Sequence, residues 1–320
     1  MELEWRPLTT ADIPAVTALY GAAEEVDDTG ELLSEEDFAE SFGETDLPGG
    51  SLGVFADGRL AGYGLVVLRD QPVGTHRVRL DGVVRPEFRR RGIGLPLLER
   101  LVALARGLHV ARHPDMPLAV STMIESRSEG HVALAEKLGF HADRHFSELE
   151  VALGESLAQV PIPAGYEIVP FSTARDEEVR VVCNAAFARH WGSVDRSPQE
   201  WAASFTGSER FQPQTSFLAL RGNAVVGFVL SRYYPAFEEA TGIRELWIGD
   251  VGTLEEHRGR GVASALLSWT LAQGRAQGFH RAGLSVDTAN PTGALGLYER
   301  AGFGVARTWI DYGRAVDLQK

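Results

Sequence analysis

The chain has 320 residues, 44% of them apolar, and a formal net charge of −13, enough material for two α/β domains with separate cores. The acidic balance argues against a nucleic-acid partner, which selects basic surfaces, and no stretch reaches the ~20 apolar residues of a membrane-spanning helix. The only cysteine, Cys183, precludes an internal disulfide, and no Cys/His cluster has metal-ligand spacing.

The expectation is therefore a cytoplasmic protein, monomer or homodimer, with no metal, no membrane partner and no nucleic acid. Its first residues, Met1 to Trp5, lack the basic and apolar regions of a secretion signal. Cys183 lies in the apolar run VVCNAAF and reads as a packing residue.

In chain order, a short strand is expected near Glu4–Leu8, then a helix capped at Thr10 or Asp12 and another from Ser34. Eleven acids lie between Glu24 and Asp46; they read as a solvated face, with a cation-attracting rim as the alternative. Strands at Ser51–Ala56 and Leu60–Leu68 flank the hairpin turn Asp57-Gly58. There follow a strand at Arg77–Val84, a helix at Gly92–Leu108, a strand at Leu118–Ile124, a helix at Gly130–Leu138 and a strand at His145–Leu153.

The same order then recurs. A strand at Tyr166–Pro170 precedes helices at Asp176–Phe187 and Pro198–Phe205, and a hairpin turns at Gly222-Asn223. A strand at Leu246–Thr253, a helix at Val262–Gln277, a strand at Ala282–Asp287, a helix at Thr292–Arg300 and a strand at Arg307–Tyr312 complete the copy. The segment EFRRRGIG at Glu87–Gly94 matches EHRGRGVA at Glu256–Ala263 with an offset of 169 residues, which marks an internal repeat. The expected division is residues 1–153, a proline-containing linker at 154–165, and residues 166–320.

In both copies a strand runs into Arg-x-x-Gly-x-Gly/Ala and then a long helix. Glycines permit positive φ and close approach of a ligand, while the helix adds its unpaired first-turn N–H groups and positive dipole end, a combination suited to a pyrophosphate. Neither a dinucleotide fingerprint nor a P-loop is present.

Arg258-Gly259-Arg260-Gly261-Val262-Ala263, followed by Asn290-Pro291, Ala294, Tyr298 and Gly302-Phe303, resembles the GNAT superfamily of acyl-CoA-dependent N-acyltransferases. The resemblance covers both halves, in a tandem arrangement similar to that of mycothiol synthases. It implies an α/β (α+β) fold of two GNAT-type domains, each a mixed, mostly antiparallel splayed sheet flanked by helices. It also implies acetyl-CoA as cosubstrate, with its pyrophosphate on residues 258–263 and its acetyl and pantetheine groups on Val251, Gly252 and Thr253, near Asn290. In the first copy Arg89, Arg90, Arg91, Gly92, Ile93 and Gly94 repeat the turn, but Ala135 stands in place of Tyr298 and Arg127 in place of Asn290. That copy is expected to be non-catalytic.

Acetyl transfer needs a neutral amine, a donor for the developing oxyanion and an acid for the departing thiolate. Tyr298 lies where the family places that acid; the alternative is a half-buried tyrosine on an amphipathic helix. The family's glutamate base falls at Trp247, a departure from the pattern, which leaves Glu245, Asp250 or ordered water. Asp250 is expected on the opposite face of the strand from Glu245. His190 and Trp191 line the acceptor side or simply end a helix, and Glu238 and Glu239 either attract a cationic amine or are solvated. The function expected is N-acetylation of a primary amine of a small molecule or peptide. The alternatives are mycothiol synthesis and a non-catalytic acyl-CoA sensor.

Overall fold

The computed structural model describes residues 2–68, 72, 74–154, 159–190, 193, 195–289 and 293–318. Two units emerge, Met1–His145 with Arg307–Lys320, and Phe146–Ala306. The first carries β1 (Leu3–Arg6), α1 (Ile13–Asp27), α2 (Glu35–Glu44), α3 (Leu47–Gly50), β2 (Ser51–Ala56), β3 (Arg59–Val67), β4 (His76–Val84), α4 (Gly94–Arg112), β5 (Leu118–Glu125) and α5 (Glu129–Lys137). Strand β6 (His141–Ala152) carries the chain into the second unit. There β7 (Glu167–Pro170), α6 (Asp176–Phe187), α7 (Pro198–Ser204), β8 (Phe217–Arg221), β9 (Ala224–Arg232), α8 (Pro235–Thr241), β10 (Glu245–Thr253), α9 (Val262–Ala276), β11 (Arg281–Asp287) and α10 (Ala294–Arg300) follow, and β12 (Gly304–Val316) returns to the first.

Local chemistry explains many of these boundaries. Ser34 and Asp37 form a capping box at the start of α2, and Ser197 and Glu200 form another at α7, each satisfying N–H groups that the helix leaves unpaired. The β2–β3 hairpin turns through Asp57 (φ 50) and Gly58 (φ 80), the pair of positive φ values that a two-residue turn of matching twist requires. Pro235 opens α8, where its fixed φ suits the first helical turn and its missing N–H costs no intrahelical bond.

Each sheet is covered on both faces. In the first unit Leu97, Leu101 and Ala105 of α4 pack with Val54, Leu80 and Val120, while Val16, Leu19, Phe38 and Phe42 cover Phe55 and Leu65 on the other side. In the second, Ala265, Leu266 and Leu271 of α9 pack with Val229, Leu246 and Ile248, while Val179, Val182 and Trp201 cover Phe228 and Leu230. Each fully buried aliphatic side chain contributes roughly 1.5–3 kcal/mol.

All strand pairings described here are antiparallel except β4–β5 and β10–β11. Those two are brief. Strand β4 pairs with β5 only over His76–Arg79 against Leu118–Ser121, and β10 with β11 only over Glu245–Trp247 against Arg281–Gly283. Beyond that the strands part, although β4 stays paired with β3 through Val84 and β10 with β9 through Thr253.

The last strands differ from the sequence expectation that each copy keeps its own. Strand β12 pairs with β5 from Trp309↔Glu125 to Val316↔Leu118, and β6 pairs with β11 from Phe146↔Asp287 to Ala152↔Arg281. Tyr312 thereby joins the first core, and Leu149 and Leu153 join the second. Because the copies are homologous, the edges of β5 and β11 are equivalent docking sites, and a terminal strand pairs as well with the other copy's edge as with its own.

Residues 1–153 expressed alone are expected to be insoluble or to lack a cooperative thermal transition by circular dichroism, since β5 then loses β12 and Tyr312. A stable monomeric fragment would contradict the exchange.

Candidate active site

The two glycine turns share a backbone conformation. Gly259 (φ 70) and Gly261 (φ 83) in the second unit correspond to Arg90 (φ 59) and Gly92 (φ 80) in the first. An arginine at positive φ costs roughly 1–2 kcal/mol, so the first unit keeps the turn despite strain at Arg90. Gly261 has no side chain to cap α9, and Ile93 provides no cap to α4, leaving first-turn N–H groups of both helices pointing outward for an anion.

The leading arginine of each motif braces the turn through its side chain. Arg258 Nε donates to Thr253 O at 3.0 Å and Nη2 to Ala186 O at 2.8 Å, tying the end of β10 to the end of α6. Arg89 does the same, with Nε on Val84 O at 2.9 Å and both Nη atoms on the Asp27 carboxylate at 2.6 Å. What these residues offer to a ligand is backbone. Arg260 is exposed, and Val262 and Ala263 open α9.

Strand β10 carries a β-bulge. Ile248 faces Ser231 and Asp250 faces Leu230, so Gly249 is the extra residue. The bulge corrects the expected side of Asp250. Trp247 and Asp250 sit opposite Arg232 and Leu230, two residues apart on β9, and so share with Glu245 the face covered by α6 and α7. Val251 and Thr253 take the α9 face, and Gly252 lies against the Phe228 ring, where a Cβ would collide. Thr253 Oγ1 is buried without a hydrogen-bond partner among the described residues. Together with the unpaired edge of β10, it fits a polar, amide-bearing ligand entering between the strands.

Asp250 is engaged by two guanidiniums. Arg196 Nη2 donates to Oδ1 at 3.0 Å, and Arg232 Nη2 lies 3.6 Å from Oδ2. Arg196 also donates to Cys183 Sγ at 3.0 Å and stacks over Phe205 at 3.8 Å. Burial pushes the Cys183 thiol up to about 12, so it remains neutral. The loop bearing Arg196 is held by Asn184, which bonds its N–H and its carbonyl, and by Arg180 on the same carbonyl. Neither arginine of this cluster was singled out by sequence; an arginine between two helices carries no local signature.

Tyr298 is 8% exposed on α10. Its hydroxyl makes no hydrogen bond among the described residues, and burial, assisted by the charge of Asp250, raises it to about 12. Glu245 sits at the closed end of the parting strands in an ion pair with Arg281. Glu238 accepts from the Tyr233 hydroxyl, and His190 packs edge-on against Phe187. Asn290 and Trp191 lie outside the described residues. In the first unit the parting strands enclose an open cleft of about 580 Å³ lined by Leu97, Met123, His131, Leu134 and Ala135, among others.

Parting parallel strands that run into uncapped, glycine-turned helix N-termini, twice in one chain, are the architecture of an acyl-CoA-dependent acyltransferase. The acetyltransferase (GNAT) family model matches residues 14–140 and 183–303, and the chain belongs to that family. It is 32% identical to the mycothiol acetyltransferase of Thermobispora bispora, over 92% of this chain and 93% of that one, and 30% identical to that of Geodermatophilus obscurus, over 92% of each. Among solved structures, a GCN5-related N-acetyltransferase from Sphaerobacter thermophilus superposes with a TM-score of 0.80 at 26% identity, covering 98% of this chain and 95% of that one. A tandem GNAT protein from the clavulanic acid pathway gives 0.70 at 20% identity with 98% coverage of both, a likeness of fold. The expected fold and enzyme class are borne out: this is a tandem-domain acetyltransferase that moves an acetyl group from acetyl-CoA to an amine.

Arg258→Met is expected to lower the stability of the second unit by about 1–2 kcal/mol through its two lost carbonyl bonds, measured as a lower melting temperature without ligand. An unchanged melting temperature would show that the brace is dispensable.

Proposed function

We propose that the second unit alone performs the transfer, with Tyr298 as the acid. The observation that carries this reading is the contrast between the copies: in the second unit a largely buried tyrosine whose hydroxyl has no partner among the described residues, and Ala135 in the first. Acetyl-CoA, when bound, supplies an activated acyl group and a thiolate leaving group. The backbone of residues 259–263 receives the pyrophosphate, and the free edge at Val251–Thr253 orients the acyl end. As the amine nitrogen bonds the acetyl carbon and the carbon–sulfur bond breaks, Tyr298 gives its proton to sulfur; the proton shed by nitrogen passes to solvent and restores the tyrosine. The products are an N-acetyl amide and free thiol.

Asp250 is a poor base here, because Arg196 already occupies one of its oxygens and Arg232 faces the other. Glu245 is bound to Arg281 at the closed end. Ordered water is the base most consistent with both engagements. The first unit is assigned a non-catalytic role.

A second reading, acetylation of the acceptor named in its relatives, is favoured by the 32% identity to a mycothiol acetyltransferase. Trp247 at the base position stands against it. Including the mycothiol precursor amine in an amine panel separates the two.

Tyr298→Phe is expected to lower kcat by about 10²–10⁴ with little change in KM for acetyl-CoA, read as thiol release; unchanged turnover would remove Tyr298 from the chemistry. Because its folded pKa is raised to about 12, Tyr298 keeps its proton well above pH 10. Turnover in the wild type should therefore show no loss from this group between pH 7 and 10. A descending limb in that range that disappears in Tyr298→Phe would show that the hydroxyl titrates lower than its burial implies; the assignment as the acid stands or falls with the turnover of Tyr298→Phe.

A further inference from the structure

Arg196 and Arg232 converge on one carboxylate, that of Asp250, with side chains 26% and 21% exposed. The cluster therefore holds a surplus positive charge in a largely desolvated place, which is costly unless an anion completes it. The two guanidiniums are not equally committed. Arg196 is bonded to Asp250 and Cys183 and stacked on Phe205. Arg232 makes no hydrogen bond among the described residues; its closest polar contact is the 3.6 Å approach to Asp250, and its ring contact with Phe205 is 5.1 Å. Its Nη1 lies 3.2 Å from where a Cβ of Gly249 would stand, over the exposed bulge.

Besides Asp250, none of the neighbouring acids among the described residues is in contact with Arg232. Glu245 is ion-paired with Arg281, and the carboxylates of Glu238 and Asp176 spend their hydrogen bonds on Tyr233 and on Trp201 and Thr206. The corresponding face of the first unit differs: Asp81 faces α1 and α2 there and is paired with Arg79 of its own strand, and Glu31 accepts from Tyr20, so one arginine meets two carboxylates. The surplus cation belongs to the unit that has Tyr298.

We propose that the acceptor is an amino-acid-like amine, with its carboxylate received by Arg232 and its ammonium, before deprotonation, by Asp250. This rests on the second unit being the transfer site. The two protein charges are 3.6 Å apart, so their complements on the acceptor are separated by only a few bonds, as in an α- or β-amino acid. Planar bidentate pairing with a carboxylate is what a free guanidinium does best. The Phe205 and Phe187 rings near Arg196 provide an apolar flank for the rest of the acceptor.

The test compares matched acceptors with and without the carboxylate: leucine with leucinamide, phenylalanine with phenylalaninamide, and β-alanine with its amide, each with acetyl-CoA, thiol release as the readout and kcat/KM referred to the concentration of neutral amine, because the carboxylate also makes the amine more basic. The acids are expected to exceed their amides in kcat/KM by about tenfold or more. Arg232→Met should bring the ratio near one, and Arg232→Lys should retain part of it. Amides equal to or better than acids, or an unchanged ratio in a folded Arg232→Met, would overturn the proposal while leaving acetyl transfer intact.

If no amine of the panel releases thiol, the transfer reading is what fails, and equilibrium binding decides the inference by itself. N-acetylphenylalanine should raise the melting temperature of the CoA-loaded protein more than N-acetylphenylalaninamide does, and Arg232→Met should abolish the difference. Equal shifts in the wild type would overturn it.

Discussion

The constraint on which the second unit depends is the separation of β10 from β11 beyond Trp247 and Gly283. A strand inside a sheet has partners on both edges; here one edge of β10 is paired with β9 and the other opens onto a gap. Backbone N–H and C=O groups left so near a core must find partners, and a ligand carrying amides is a natural one. The glycine turn that follows is the other half of the same arrangement, because it lets α9 begin where the gap opens and point its unpaired N–H groups at whatever occupies it. Arg258 fixes the relation between the two by holding the last carbonyl of β10.

The same device exists in the first unit, down to an arginine brace and a residue forced to positive φ. What differs is what surrounds the gap. In the second copy the central strand, of the same length as in the first, bulges at Gly249 against β9, and the bulge places Trp247, Asp250 and Gly252 on the face covered by α6 and α7. It has Tyr298 where the first has Ala135, and two arginines around Asp250 where the equivalent Asp81 has only Arg79. The two copies thus share a turn suited to an anion, while the side chains around the gap diverged. The exchange of β6 and β12 makes each core depend on the other copy's last strand, a physical reason for a copy without Tyr298 to remain indispensable.

Much of this was legible in the sequence because it is written in local patterns. Asp57-Gly58 marked a hairpin, the repeated arginine–glycine run marked the turns, and the absence of a tyrosine at Ala135 marked the asymmetry. What could not be read depends on pairing between distant segments. The destination of β6 and β12 is a choice between two equivalent edges, and no alternation of apolar residues distinguishes them. The side on which Asp250 emerges turns on the bulge, for which an isolated glycine inside a strand was the signal available. Arg232 was hidden for a simpler reason: at the end of a strand it looks like any solvated arginine, and only its position over Gly249 beside a shared carboxylate gives it meaning.

The central claim is that two like cradles serve one catalytic site, and disrupting each separately tests it most directly. Gly92 and Gly261 both hold φ near 80, so a β-branched residue deforms either turn to a similar degree. Acetyl transfer measured as thiol release should fall by more than about 100-fold in Gly261→Val and persist in Gly92→Val, provided both variants remain folded. Loss of turnover in Gly92→Val with activity retained in Gly261→Val would place the chemistry in the other copy and contradict the claim.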